Sequence, residues 1–142
     1  MQFTKAEEYG IFGVLYLADQ PVGKVTPLSE ISELQEVPEK FLAKIFQSLT
    51  RSGLIRSHRG VKGGFSLGRP ANRISIRQIV ESIQGPYFIA KCLHTGEICD
   101  KTNCPIKTML NKAQTAMIGV FEGHSVADLL KMQKRSQVPQ NV

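Results

Sequence analysis

The chain has 142 residues and a mass of 15.8 kDa, with 42% hydrophobic and 21% charged residues. That suits one compact domain with room for an appended helix and excludes a chain disordered throughout. The longest apolar stretch, Ile11 to Ala18, falls far short of the roughly 20 residues of a bilayer span, and the N-terminus lacks the pattern of a signal peptide. A cytoplasmic protein with no membrane partner is therefore expected.

The net charge of +6 is unevenly spread. Residues 1–39 carry a net −5 and residues 81–142 a net +2. Residues 40–80 hold nine basic side chains (Lys40, Lys44, Arg51, Arg56, Arg59, Lys62, Arg69, Arg73, Arg77) and no acid. A solubilising face would mix signs. A one-signed segment of this length is a local field suited to a polyanion such as nucleic acid.

In chain order, Thr4 with Glu7 three residues on is a capping box, opening a helix that runs to about Ala18. Thr26-Pro27 reads as N-cap and first helical residue of a short helix, Leu28–Glu33. Gln35-Glu36-Val37 is a tight connection, and Pro38 opens the next helix. Phe41, Leu42, Ile45, Phe46 and Leu49 line its buried face; Lys40, Lys44, Gln47 and Arg51 line the other, and Gly53 stops it. Two helices across a tight turn, the second with a basic polar face, fit a helix-turn-helix. Its recognition helix would present Pro38, Glu39, Lys40, Ala43, Lys44 and Gln47 to a major groove. An ordinary helical hairpin with a solvated face is the competing reading.

The following residues sharpen that choice. Leu54–Ser57 and Phe65–Leu67 are strand-like, and His58-Arg59-Gly60-Val61-Lys62-Gly63-Gly64 between them forms a basic, glycine-rich hairpin tip. A hairpin directly after a helix-turn-helix is the wing of a winged helix. Arg59, Gly60, Lys62 and Gly63 then face DNA, with Arg59 placed to enter a narrow minor groove. A nucleotide-binding loop is the weaker reading, because no Gly-Lys-Ser/Thr follows and no helix opens after the glycines. No nucleophile–base pair or dinucleotide motif suggests an enzyme.

Ser75 and Gln78 form another capping box before Ile76, Ile79, Val80 and Ile83, and Gly85-Pro86 ends that helix. Pro105 starts a long helix whose Ile106, Leu110, Ala113, Met117 and Val120 step as a heptad seam, broadened by Met109 and Phe121. A seam with no local partner suggests a dimer interface; packing on this chain's own first helix is the alternative. A last helix runs from Val126 to about Met132, and the tail from Lys134 is expected to be disordered. The fold class is thus mainly α with a small β wing. Residues 1–85 form a winged helix-turn-helix domain and 86–104 a cysteine loop. Residues 105–132 form a dimerisation helix and C-terminal helix, and 133–142 a disordered tail.

All three cysteines, Cys92, Cys99 and Cys104, fall within thirteen residues. Their odd number argues against a disulfide framework. Three thiols in one irregular loop look like a ligand set for zinc, with His94 completing it, or for an iron–sulfur cluster. The fourth cluster position would fall to His94, Glu97 or Asp100, or to Glu7 or Glu8 of a partner chain. Lys91, Lys101 and Lys107 nearby favour thiolate.

These residues together resemble the winged-helix bacterial regulators that include the iron–sulfur cluster regulator IscR, the nitric-oxide-sensitive repressor NsrR and the rhizobial iron regulator RirA. The resemblance covers roughly residues 1–132. It rests on Thr4–Ala18, on Phe41-Leu42-x-x-Ile45-Phe46-x-x-Leu49 with Ser52-Gly53-Leu54-Ile55, and on Arg59-Gly60-x-x-Gly63-Gly64-Phe65-x-Leu67. It continues through Ile76–Ile83, the three-cysteine loop and Ser125-Val126-Ala127-Asp128-Leu129. It implies a homodimer on pseudo-palindromic double-stranded promoter DNA, with one cluster per subunit, [2Fe-2S] or [4Fe-4S], on Cys92, Cys99 and Cys104. Cluster state, sensing iron, redox or nitric oxide, would set DNA affinity, as a repressor does. Two departures stand out. Lys107 replaces a histidine ligand of one branch, which points to Glu8 of the partner subunit, a carboxylate in the position another branch uses. Ala43 stands where the cluster-assembly branch has an acid, so base preference does not carry over. A cluster-free thiol- or zinc-dependent regulator of the same fold is the alternative.

Overall fold

The computed structural model describes residues 3–90, 93 and 104–137. Six helices and one hairpin follow in the order α1 (Lys5–Ala18), α2 (Leu28–Gln35), α3 (Glu39–Arg51), β1 (Ile55–His58), β2 (Gly64–Leu67), α4 (Ile76–Gln84), α5 (Pro105–Gly123) and α6 (Val126–Gln137), with a 3-10 turn at Ala71–Arg73. Among the described residues no helix is long and apolar enough to cross a membrane.

Helix α1 starts at the expected capping box: the Glu7 carboxylate accepts from the Thr4 amide at 2.7 Å and from the Thr4 hydroxyl. Its mostly apolar surface is buried from several directions, packing on α3, α4, α6 and β2. Gly13 makes this possible on one side. A Cβ there would lie 2.6 Å from the Phe46 ring, so a larger residue would push α3 away.

Helix α2 begins at Leu28 as expected, but its N-cap is Pro27 rather than Thr26, and it ends at Gln35 rather than Glu33. Thr26 is buried instead, and its backbone pairs with Phe65: Thr26 N donates to Phe65 O at 2.9 Å, and Phe65 N donates to Thr26 O at 2.8 Å. Two strong backbone bonds to the wing outweigh one helix cap. The turn into α3 passes through Glu36 in the left-handed region, φ 54°, and buried Val37, whose amide donates to Ser32 O.

On α3, Leu42, Ile45, Phe46 and Leu49 are buried as the spacing requires. Phe41 is not: it stays 40% exposed at the edge of that face, meeting Tyr9 edge-on at 5.9 Å. Strands β1 and β2 pair antiparallel, Ile55 opposite Leu67 and His58 opposite Gly64. Phe65 meets the Phe46 ring edge-on at 5.0 Å, locking the wing to α3.

The box at α4 forms in full: Gln78 N donates to Ser75 Oγ at 3.1 Å and Ser75 N to Gln78 Oε1 at 3.0 Å. A similar box of Ser125 and Asp128 opens α6. A short backbone bridge joins the two starts, with Ile76 N on His124 O and Val126 N on Ile74 O. Helix α6 runs to Gln137, past the expected end at Met132 and into residues expected to be disordered. It packs on α1, and Lys134 pairs with Asp19 at 3.2 Å.

Candidate nucleic-acid interface

On α3, Glu39, Lys40, Lys44 and Gln47 are exposed, with Pro38 exposed at the N-cap. Ala43 is half-buried beside them. At the wing, Arg59, Gly60, Val61 and Lys62 are exposed. The tip closes tightly: Gly63 N donates to Gly60 O at 2.9 Å, with Gly60 at φ 108°. A Cβ on Gly63 would meet Gly60 O at 2.8 Å, so the tip needs glycine to keep its shape. His58 Nε2 and Ser66 Oγ, 2.8 Å apart across the strands, brace the base of the tip.

Helix and wing share one groove of about 530 Å³, lined by Ala43, Gln47, Thr50, Arg51, Ser57, Arg59 and Phe65. The structure thus brings Gln47 and Arg59 to the same cleft. Thr50 and Ser57 also line it and were not singled out from the sequence; Arg51 lines it too and was placed on the basic face but not assigned to DNA. For Arg51 a signal existed, since it lies one turn beyond Gln47 on the basic face.

The basic segment divides into two sets. Among the described residues, no ion pair engages Lys40, Lys44, Arg59 or Lys62, so their charge faces solvent. Arg77 is withdrawn: it pairs with Glu81 at 3.0 Å and Glu122 at 3.5 Å, and the Glu81 hydrogen bond holds its guanidinium above the ordinary value.

Of the proposed ligand set, Cys92 and Cys99 lie outside the described residues, as do His94, Glu97 and Asp100. Cys104 is half-buried at the N-cap of α5. Before the cysteine segment, Ile89 N donates to the Gln114 side chain of α5 at 2.9 Å, and Tyr87 meets the Phe121 ring edge-on at 6.0 Å. The chain on both sides of that segment is therefore tied to α5. Burial, then the nearby Glu7, raises the Tyr87 phenol above its ordinary value.

The two candidate carboxylates of α1 differ. Glu8 is half-exposed and paired with Lys5 at 3.1 Å. Glu7 is fully buried, and its Oε1 has no hydrogen-bond partner. Among the described residues no group of three or more potential ligands gathers at one point. Three thiols close in sequence remain a donor set that suits a thiophilic iron centre.

A recognition helix and a hairpin wing sharing one groove define a winged-helix DNA-binding protein. The family model described as Rrf2, iron-dependent transcriptional regulator, matches residues 3–132, and the chain belongs to that family. Its members are transcription regulators that bind DNA, not enzymes. Solved structures share the fold. CymR (YrzC), the global cysteine regulator of B. subtilis, superposes with a TM-score of 0.80 at 21% identity, covering 93% of this chain and 98% of its own. T. potens IscR superposes at 0.78 and 23% identity, covering 99% of this chain and 94% of its own. The oxidized form of Staphylococcus aureus CymR superposes at 0.74 and 25% identity, covering 92% and 96%.

Proposed function

We propose that this chain is a homodimeric repressor whose grip on double-stranded promoter DNA is set by an iron–sulfur cluster. The observation that carries the DNA half is the groove shared by Gln47 and Arg59. Lys40, Lys44, Arg59 and Lys62 supply salt-dependent phosphate and groove contacts, and the backbone at Gly60 and Gly63 lets the tip approach closely. Gln47, with Glu39 and Lys40 at the helix start, reads base edges, and Pro38 lies beside them. The apolar stripe of α5 is the dimer contact. Cys92, Cys99 and Cys104 hold the cluster, [2Fe-2S] or [4Fe-4S], one per subunit, with Glu8 of the partner subunit as fourth ligand. The Glu8–Lys5 pair is exposed and weak, so Glu8 is free to exchange partners. When bound, such a cluster supplies sensitivity to iron supply, redox state or nitric oxide. This chain's own contribution is leverage: the Ile89–Gln114 bond and Cys104 at the N-cap of α5 couple any change in the cysteine segment to the dimer helix. A coupling of about 1–3 kcal/mol is enough to switch a promoter.

Arg59→Ala is expected to weaken binding to promoter fragments selected by the wild-type protein about tenfold or more, read by fluorescence anisotropy at low salt. Unchanged affinity rejects the wing assignment. Protein purified without air is expected to be brown and to contain iron and sulfide, and Cys92→Ala to bleach it. A colourless protein holding stoichiometric zinc rejects the cluster. The oxidized form of Staphylococcus aureus CymR, at 25% identity, supports a second reading, a cluster-free thiol switch. In that case the colourless protein responds to oxidant.

A further inference from the structure

The wing tip carries a side chain that its local structure does not explain. Gly63 N donates to Gly60 O at 2.9 Å, so Val61 and Lys62 are the central residues of a four-residue turn. Such turns favour glycine, proline, asparagine, aspartate and serine, which ease the bend or bond to it. Valine does neither, and its branched side chain suits a strand better than a turn. Val61 nevertheless stands at the apex, fully exposed, with no described residue covering its isopropyl group. A single exposed apolar side chain is ordinary on a protein surface. What sets this one apart is its surroundings. Exposed Arg59 and Lys62 flank it, and among the described residues no ion pair engages either cation. Arg59 also lines the groove that the wing shares with the recognition helix, so Val61 continues the same face. A local rule broken without a gain to the fold, on a binding face, points to a gain in binding.

We propose that Val61 is a specificity-determining residue, which presses on the minor-groove floor beneath the wing and rejects G·C pairs there. The inference rests on the reading of the wing as a DNA contact. Two cations drawn to the phosphates on either side of a groove leave the side chain between them facing its floor. An A·T pair shows only acceptors on that floor, whereas a G·C pair adds the guanine N2 amino donor. The isopropyl group has no acceptor to offer. Against G·C it strips water from the amino group and returns no hydrogen bond; against A·T that loss does not arise. Arg59 favours A·T-rich steps in a different way, through the width and potential of the groove. Val61 acts through one amino group.

Competition binding of the full-length protein to promoter fragments selected by the wild type tests this. Each A·T pair is replaced in turn by G·C and by I·C, inosine being guanine without its N2 amino group. An I·C pair shows the face of G·C in the major groove and that of A·T in the minor groove. Positions read by Gln47 from the major groove lose affinity with both replacements. Positions beneath Val61 are expected to lose about fivefold or more with G·C and less than about twofold with I·C. Val61→Asn suits a turn and gives the amino group an acceptor, and Val61→Gly removes the apolar group. Both leave Arg59 in place, and both are expected to cut the G·C loss at those positions to less than about twofold, with the Gln47 positions unchanged. No position sensitive to G·C alone overturns the proposal. So does a G·C loss that persists in full in both variants, which assigns it to groove width and Arg59. In either case the wild type still binds its promoter; a wild type that binds no fragment removes the DNA reading and this inference together.

Discussion

Helices α3 and α5 are both amphipathic, yet they use their apolar sides in opposite ways. Helix α3 hides Leu42, Ile45, Phe46 and Leu49 within its own chain. Helix α5, although longer, buries no residue in the described chain. Ile106, Met109 and Val120 are each more than half exposed, while Met117 and Phe121 turn toward the core, so the heptad seam is divided between two surroundings. The main contact that α5 makes within the described chain is with α4. Apolar spacing says that a face will be covered; it does not say by which molecule.

Three substitutions and one titration bear on that contrast. The largest effect is expected at α3: Phe46→Ala removes a ring that contacts both α1 and Phe65, and unfolding by urea should show a loss of about 3–5 kcal/mol. A loss below about 1 kcal/mol would mean α3 is not the centre of the core. At α5, Ile106→Glu is expected to leave the fold intact by circular dichroism while moving the mass measured by light scattering from dimer to monomer. If the mass stays put, the stripe is not the contact between copies. Smaller is Ser75→Ala, which removes the acceptor of the Gln78 amide and should cost about 1 kcal/mol. The smallest concerns Asp128, whose carboxyl is held below its ordinary value by the backbone and hydroxyl of Ser125. A depressed folded value means its contribution is present above the unfolded pKa and disappears as pH falls through the folded one. Carbon-detected titration should therefore find Asp128 still ionised below about pH 3.9, with amide exchange at the start of α6 speeding up only under more acidic conditions.

Local rules carried the reading of this chain far. Capping boxes at Thr4 and Ser75, the proline before α3 and the glycines of the wing each act within a few residues, and each element stands close to where those residues place it. Gln47 and Arg59 were each legible as facing DNA; that they line one groove is seen only in the structure, where the short hairpin folds back on the helix before it. What escaped is long-range. Thr26 has the residue type of a helix cap, and only the presence of Phe65 beside it turns it into a strand partner. Phe41 has the spacing of a core residue but sits where the face runs out. Helix α6 outran its expected end, and Lys134 in the added turns meets Asp19, far away in sequence. Glu7 was weighed as a ligand given to a partner chain, yet its own chain buries it, a fate that periodicity in a nearly all-apolar helix does not reveal.

The bridge between Ser75 and Ser125 has a practical outcome for anyone cutting the molecule. Fully buried Val126 belongs to the same core as Ile74 and Val14, and α6 lies along α1. A protease that nicks the polypeptide between residues 90 and 104 would release nothing: both fragments should co-elute, still joined through that shared interior. Expressing residues 1–85 alone would, by the same logic, yield an aggregating stump instead of a usable reader of promoters.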